Sequence, residues 1–153
     1  MKNTSTPRTV KGGDCARGFS LIELMIVVGI VALLVALSLP GFQHFIRKSN
    51  RGEAQQLMMN YANLEEIWRA NNNIYADETG IALPTHDKYN FFIRAAAGSP
   101  PAAADCANTD PTATAYVVVA CATGDQVNDT NRGVSCTRMS IDQANAKTPA
   151  ECW

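Results

Sequence analysis

The sequence is poor in the residues on which enzymes and nucleic-acid-coating proteins depend. Its 153 residues include two histidines, and 18% of them are charged, with a formal net charge of −1 at pH 7. His44 is predicted on a helix and His86 in a loop, and neither belongs to a recognisable nucleophile motif with a serine or cysteine. These absences argue against an enzyme, and the near-neutral charge argues against a surface that coats nucleic acid uniformly.

A metal site is not indicated either. The stretch DQVND at residues 125–129 has two carboxylates. It lacks the full ligand ladder and the invariant glycine of a calcium loop. We interpret it as a solvated turn, and we expect neither a metal nor a cofactor.

The few charges are unevenly placed along the chain. Residues 1–18 hold four basic side chains against Asp14 alone, whereas residues 19–153 hold nine basic and thirteen acidic ones. Residues 1–17 are also short of apolar side chains, which predicts a disordered segment. An ordinary secretory signal is cleaved after its apolar region, but the small residue here, Gly18, precedes that region. Cleavage at Gly18 would remove the charges and keep the apolar segment; the alternative is an uncleaved anchor with its N-terminus inside.

Long apolar runs are absent except for one, GFSLIELMIVVGIVALLVALSLPGF at residues 18–42. Residues 19–39, at a rise of about 1.5 Å each, extend over roughly 30 Å, the hydrocarbon thickness of a bilayer. The run can therefore span a membrane, with the basic segment cytoplasmic and the remaining chain exported. Glu23, near its start, is an ionisable group that hydrocarbon should expel.

One helix is predicted from about residue 20 to residue 72. Pro40 and Gly41 could break or kink it, but apolar residues then resume at spacings of three and four: Ala54, Leu57, Met58, Tyr61, Leu64 and Trp68. Polar residues fall elsewhere around the helix: Arg51, Glu53, Gln55, Asn63, Glu66 and Arg69. The asparagines at 71–73 predict its C-terminal cap. The helical spacing of Met58 and Trp68 implies packing.

The remainder of the chain has a composition typical of β-structure. Three short segments rich in β-branched and aromatic residues, at 88–95, 115–122 and 134–142, predict three antiparallel strands. Two irregular segments separate them, and loops of this kind on a rigid scaffold commonly carry binding functions.

Five cysteines stand at positions 15, 106, 121, 136 and 152, four of them after the proposed cut. An even number in the exported part is typical of two disulfides in an oxidising compartment. Of the three connectivities, we favour Cys136–Cys152, because the turn-like DQANAK lies midway between these two, leaving Cys106–Cys121. Cys121–Cys136 remains an alternative. Cys15 is interpreted as a free thiol in the discarded segment.

Gly18-Phe19 followed by SLIELMIVVGIVALLVALSLP, with Glu23 five residues into the mature chain, resembles the N-terminus of type IV pilins. The terminal ECW, with a cysteine in the preceding strand, resembles minor pilins of the PilE type. The resemblance implies an α+β fold in which a long N-terminal helix packs on a small antiparallel sheet with a disulfide-closed C-terminal loop. It divides the chain into a leader (1–18), a membrane and fibre-core helix (19–40) and an exported domain (41–153).

The resemblance also implies residue roles. A prepilin peptidase would cut between Gly18 and Phe19 and N-methylate Phe19, and Glu23 would act in assembly by meeting a positive α-amine. Pro40 would break the helix. The implied partners are other pilins, the prepilin peptidase and an inner-membrane assembly platform. The chain would reside in the inner membrane, N-terminus cytoplasmic, and then in the pilus at the cell surface.

Three functional hypotheses follow. The first is a minor pilin that serves pilus biogenesis, adhesion and twitching motility. The second is a DNA-binding minor pilin with candidate contacts at Arg94, Arg132, Arg138 and Lys147, although Asp125, Asp129, Asp142 and Glu151 are interleaved with them. This mixed charge makes nucleic acid an unlikely partner. The third is a major pilin or a pseudopilin.

Overall fold

The computed structural model describes residues 18–153, except for the side chains at positions 38–40. Nearly all of the expected leader, including Cys15, therefore lies outside the described residues. The described residues divide into two compact units, a first that ends at Leu39 and a second that contains Pro40–Trp153. Each unit is described by itself below.

A single long helix, α1, runs from Leu21 to Asn72. These bounds lie within one residue of those predicted. Pro40 lies within the helix and does not end it, and the break or kink expected at this residue stays a prediction. A proline removes one backbone donor, and the hydrogen bonds of the turns on either side can still continue a helix.

In the first unit, the helix exposes its apolar side chains. Their exposed fractions range from 49% at Val27 to 76% at Leu21. Among the described residues, no single helix has both the length and the hydropathy needed to cross a membrane. The segments Leu21–Leu37 and Gly41–Asn72 meet these requirements when they are taken together, by length and composition alone.

In the second unit, one stripe of α1 is buried against the domain. It contains Arg51, Ala54, Met58, Tyr61 and Glu65, at alternating spacings of three and four. Two details of the predicted stripe are wrong. Arg51 was expected among the polar positions but is buried, and Leu64 was expected in the stripe but is 42% exposed. The buried face is rotated around the helix toward Arg51 and away from Leu64. Charged residues can lie on this face because they have polar partners inside the domain.

The helix ends as the asparagine run predicts. Asn73 adopts a left-handed conformation with φ of 59°, and its N–H donates to the carbonyl of Arg69 at 2.9 Å. Asparagine tolerates this conformation better than most residues, which makes it an effective stop for a helix.

Six strands follow the helix: β1 (Tyr89–Arg94), β2 (Val117–Ala122), β3 (Thr130–Asn131), β4 (Val134–Ser135), β5 (Arg138–Asp142) and β6 (Lys147–Thr148). Four of them form an antiparallel sheet in the order β1-β2-β5-β6, and β3 pairs with β4. The first two predicted strands are confirmed.

The third predicted strand is two strands that belong to different sheets. A two-residue turn, Arg132 and Gly133, joins β3 to β4, with φ of 50° and 82° respectively. Positive φ at both positions is the requirement of the tight turn that matches strand twist. Cys136 follows β4, and its N–H donates to the backbone carbonyl of Asp129 at 2.9 Å. The strand β5 begins two residues later, at Arg138.

The core lies between α1 and one face of the sheet. Tyr89, Phe91 and Ile93 alternate along β1 and are buried, and Phe91 and Ile93 stand opposite Ala120 and Val118 of β2. Residues 95–116 and 123–137 form two long connections, which contain Cys106 and Cys136 respectively, whereas Cys121 lies in β2 and Cys152 in the C-terminal tail.

Candidate functional site

The N-terminal residues precede and begin α1. Gly18 and Phe19 lie before the helix, and Phe19 is 79% exposed. The N–H of Leu24 donates to the carbonyl of Ser20 at 3.2 Å, which places Glu23 in the first turn. A carboxylate there is favoured by the helix dipole. Within residues 18–153, no ion pair engages Glu23.

Both disulfides of the structure have the favoured connectivity. Cys106 is bonded to Cys121 and Cys136 to Cys152, with Cα atoms 6.0 and 5.5 Å apart. The first ties the segment 95–116 to β2, and the second ties the C-terminal tail to the residue after β4. The alternative Cys121–Cys136 is absent from the described chain.

The C-terminal tail is docked on both sides. The side chain of Gln55 on α1 donates to the carbonyl of Cys152, and the side chain of Asn131 donates to the carbonyl of Glu151. The ammonium of Lys147 lies 5.0 Å from the ring centroid of Trp153. The tail is therefore part of the folded domain.

A buried polar network fixes the connection between β2 and β4. The guanidinium of Arg51 donates to Asp129 at 2.9 Å, and both side chains are almost fully buried. The amide of Gln126 donates to the carbonyl of Arg47, to the hydroxyl of Tyr89 and to Asp129. Burial raises the pKa of Tyr89 to about 12. Sequence reasoning missed this network, since Arg51 and Asp129 are 78 residues apart.

Arg94, a candidate DNA contact, is engaged in holding the segment after β1. Its guanidinium donates to the carbonyls of Ala96, Ala104 and Ala107 and lies 3.5 Å from the carboxylate of Asp105. The backbone N–H groups of the same segment, together with Arg94, hold the pKa of Asp105 below its usual range. Arg94 therefore stabilises a loop from inside the domain.

The structure does not gather the other three candidates into one patch. Arg132 is exposed in the β3–β4 turn. Arg138 pairs with Cys121 on the face of the sheet opposite the helix. Lys147 stands opposite Ile141, and its ammonium lies 3.5 Å from the sulfur of Met59 on α1.

A second buried carboxylate anchors the connection between α1 and β1. Glu65 accepts a hydrogen bond from the N–H of Ala76 at 2.8 Å, and its other oxygen has no partner within the described residues. Burial raises the pKa of Glu65 above its ordinary value. Tyr61 donates to the carbonyl of Ile81 in the same connection, so these two helix residues position residues 73–86.

Two family models match the chain. The model described as "Type IV minor pilin ComP, DNA uptake sequence receptor" matches residues 40–140, and the model described as "Prokaryotic N-terminal methylation motif" matches residues 14–39. The first match covers most of the folded domain. The second covers Gly18, Phe19 and Glu23.

Several curated relatives of the chain are pilins or fimbrial proteins. The type IV major pilin protein PilA of Myxococcus xanthus strain DK1622 is 35% identical over 91 residues, which is 54% of this chain and 39% of PilA. The fimbrial protein EcpC of Eikenella corrodens is 35% identical over 91 residues, which is 54% of this chain and 57% of EcpC. The chain spans about half the length of the curated relatives it matches.

Among solved structures, a type IV pilin from Shewanella oneidensis matches with a TM-score of 0.48 and 22% sequence identity. The alignment covers 70% of this chain and 97% of that protein.

Proposed function

The chain belongs to the type IV pilin family, and from this premise we propose that it is a minor pilin, a low-abundance structural subunit of a type IV pilus. The observation that carries the proposal is the match of residues 40–140, the folded domain, to a minor-pilin model. Pilus biogenesis, adhesion and twitching motility are the processes in which such a subunit would act. This role requires binding to other pilins and no catalysis.

Maturation would begin at Gly18. A prepilin peptidase cuts between Gly18 and Phe19 and N-methylates Phe19 in this proposal, which the match of residues 14–39 to a methylation motif supports. The cut leaves the apolar segment in the mature chain. The protein then resides in the inner membrane until an assembly platform transfers it to the fibre.

Glu23 would direct assembly through its charge. An unpaired carboxylate in hydrocarbon costs at least about 2.5–3.5 kcal/mol. The N-terminal amine of a neighbouring subunit neutralises it in our proposal. The exposed position of Glu23 in the first turn of α1, without an ion pair inside the described chain, leaves it available for such a partner.

Quantitative proteomics of sheared fibres tests this role. We expect the chain in the fibres at a small fraction of the main subunit, and we expect Glu23→Ala to remove it from fibres while its export continues. Glu78→Ala is the matched control, because Glu78 is an exposed carboxylate outside the apolar segment. Abundance equal to that of the main subunit would instead identify a major pilin, and normal incorporation of Glu23→Ala would contradict the assembly role.

Capture of duplex DNA is the second candidate function, because the description of the matching family names a DNA uptake sequence receptor. Arg132, Arg138 and Lys147 form no ion pair within the described residues, and Lys147 is engaged with the ring of Trp153 instead, which leaves Arg132 and Arg138 as the candidates. Residues 47–153 contain nine basic and twelve acidic side chains, and this balance favours the structural role over DNA binding.

DNA binding and piliation can be separated by substitution. If DNA capture is the function, Arg132→Ala with Arg138→Ala should spare piliation and abolish uptake, and duplex binding by the protein should weaken steeply as salt rises. Lys48→Ala is the control, since it removes one exposed cation from α1. Uptake that persists in the double variant would exclude a receptor role for these arginines.

A further inference from the structure

A cleft of about 270 Å³ with charged residues in its lining opens beside the beginning of the folded domain. Ile46, Arg47 and Asn50 of α1 line one side, and Lys88, Asp125 and Gln126 line the other. The two sides come from segments far apart in sequence. The cleft therefore forms only when the chain folds and brings these segments together.

The floor of this cleft is fixed by hydrogen bonds. Gln126 is 1% exposed, and its amide nitrogen is committed to the carbonyl of Arg47, to Tyr89 and to Asp129. Its carbonyl accepts from Asn50 at 3.2 Å. One amide hydrogen of Asn50 is thus used, and its second hydrogen can point to a ligand. Such preorganisation is what a binding site requires.

The charged groups at the cleft form no ion pairs with other described residues of the domain. Within residues 18–153, the side chains of Arg47, Lys88 and Asp125 take part in no ion pair. Two cations and one carboxylate line the same small space. They are complementary to a ligand that has both an anionic group and a cationic hydrogen-bond donor.

One apolar side chain lies on the cleft wall, and two more are near it in sequence. Phe42 and Phe45 are 62% and 68% exposed, and Ile46 on the cleft wall is 41% exposed. They follow the long apolar run directly in sequence and precede Arg47 and Lys48. Long basic side chains near the end of a membrane helix reach the headgroup level.

We propose that this cleft binds the headgroup of a phosphoethanolamine lipid while the chain resides in the membrane. The phosphate lies between Arg47 and Lys88, the primary ammonium donates to Asp125, and Phe42 and Phe45 contact the acyl boundary. The inference rests on the proposed function, in which the chain occupies a membrane before assembly. The headgroup would hold the domain against the bilayer until the subunit is extracted.

The charge pattern decides between lipid headgroups. A phosphatidylglycerol headgroup supplies the phosphate, but it has no cationic group to bind Asp125. A choline headgroup supplies a cation that has no N–H to donate. Phosphoethanolamine satisfies Arg47, Lys88 and Asp125 together, and free inorganic phosphate satisfies only the two cations.

Lipid retention by the full mature chain tests the proposal. The detergent-solubilised protein is titrated with short-chain phosphatidylethanolamine, phosphatidylcholine, phosphatidylglycerol or inorganic phosphate, and bound ligand is counted by native mass spectrometry. We expect retention of phosphatidylethanolamine about tenfold tighter than of the others. Arg47→Gln with Lys88→Gln should lose this retention, Asp125→Asn should lose the preference for ethanolamine over glycerol, and Arg132→Gln, at an exposed cation outside the cleft, should change neither.

Three results would overturn the proposal: equal retention of the three lipids, full retention by the Arg47→Gln and Lys88→Gln variant, or displacement of the lipid by equimolar inorganic phosphate. The variants are expected to fold, because the network around Gln126 uses the backbone carbonyl of Arg47 and not its side chain. Fibre incorporation is measured separately. Loss of lipid selectivity with normal incorporation would refute this inference alone, whereas absence from fibres would refute the proposed function.

Discussion

The segments Leu21–Leu37 and Gly41–Asn72 share one helix and differ in what covers their side chains. Every large apolar side chain of the first is about half exposed or more, whereas Ala54, Met58 and Tyr61 of the second are almost fully buried. Burying one large apolar side chain contributes about 1.5–3 kcal/mol. The first segment finds no such cover among the described residues, whereas the second finds it in its own domain.

This difference predicts that substitutions in the two segments have different effects. Changes at the cleavage site before the first segment, or at Glu23 within it, should alter processing or assembly while the domain remains folded. Changes in the buried stripe should alter the stability of the domain. A variant that violates this division would break the comparison.

The largest effect is expected just before the first segment, at the proposed cleavage site. Gly18→Val should leave an unprocessed precursor in the inner membrane, because the added side chain blocks the proposed cleavage site. Immunoblotting of membrane fractions measures the ratio of precursor to mature chain. Gly29→Ala is the matched control, since a Cβ at Gly29 meets open space and processing should be normal. Normal cleavage of the Gly18→Val chain would contradict the proposed site.

The next largest effect is expected inside the domain, at the pair formed by Arg51 and Asp129. Asp129→Ala leaves the buried guanidinium without its partner and should destabilise the domain by about 3–5 kcal/mol. Denaturant unfolding measures this change in free energy. Arg51→Met with Asp129→Leu should recover most of the loss, because both charges are then removed. A loss in the double variant as large as in Asp129→Ala would show that geometry, not charge, is responsible.

Removal of one disulfide should have an effect of similar but smaller size. Cys152→Ser opens the Cys136–Cys152 loop, which has a sequence separation of 16, and should destabilise the domain by roughly 2–4 kcal/mol. Unfolding under oxidising conditions measures it, with the exposed Ser135→Ala as control. A change below 0.5 kcal/mol would mean that the hydrogen bonds of the tail alone hold it in place.

The smallest effect concerns the buried Glu65 and depends on pH. The folded state raises the pKa of Glu65, so it binds more protons than the unfolded state, and stability falls as pH rises through the folded pKa. Glutamine imitates the protonated form and still accepts the N–H of Ala76. At pH 7, Glu65→Gln should therefore match or exceed the wild type by at most about 1 kcal/mol. Unfolding at pH 4 and pH 7 should show that this difference vanishes in acid, and a clear loss at pH 7 would contradict it.

Local patterns made much of the fold predictable. Spacings of three and four gave the helix, the asparagine run gave its end, and β-branched runs gave β1 and β2. The turn midway between Cys136 and Cys152 was enough to favour their pairing. In each case neighbouring residues in sequence determine the structure.

The features that could not be predicted depend on contacts between distant residues. Arg51 and Glu65 have the charge of surface residues, and only the approach of Asp129 and Ala76 makes their burial possible. The division of residues 134–142 between two sheets likewise depends on Asp129 and Cys152. The basic candidates could be named from the sequence, but their separation across the sheet could not.

The N-terminus of the chain in assembled fibres is the most direct test of the account as a whole. Mass spectrometry of peptides from sheared fibres should identify N-methylated Phe19 as the first residue of this chain. That result would establish processing after Gly18 and incorporation at once. A chain that is absent from the fibres, or one whose first residue lies elsewhere, would contradict the proposal that it is a type IV pilus subunit matured at this site.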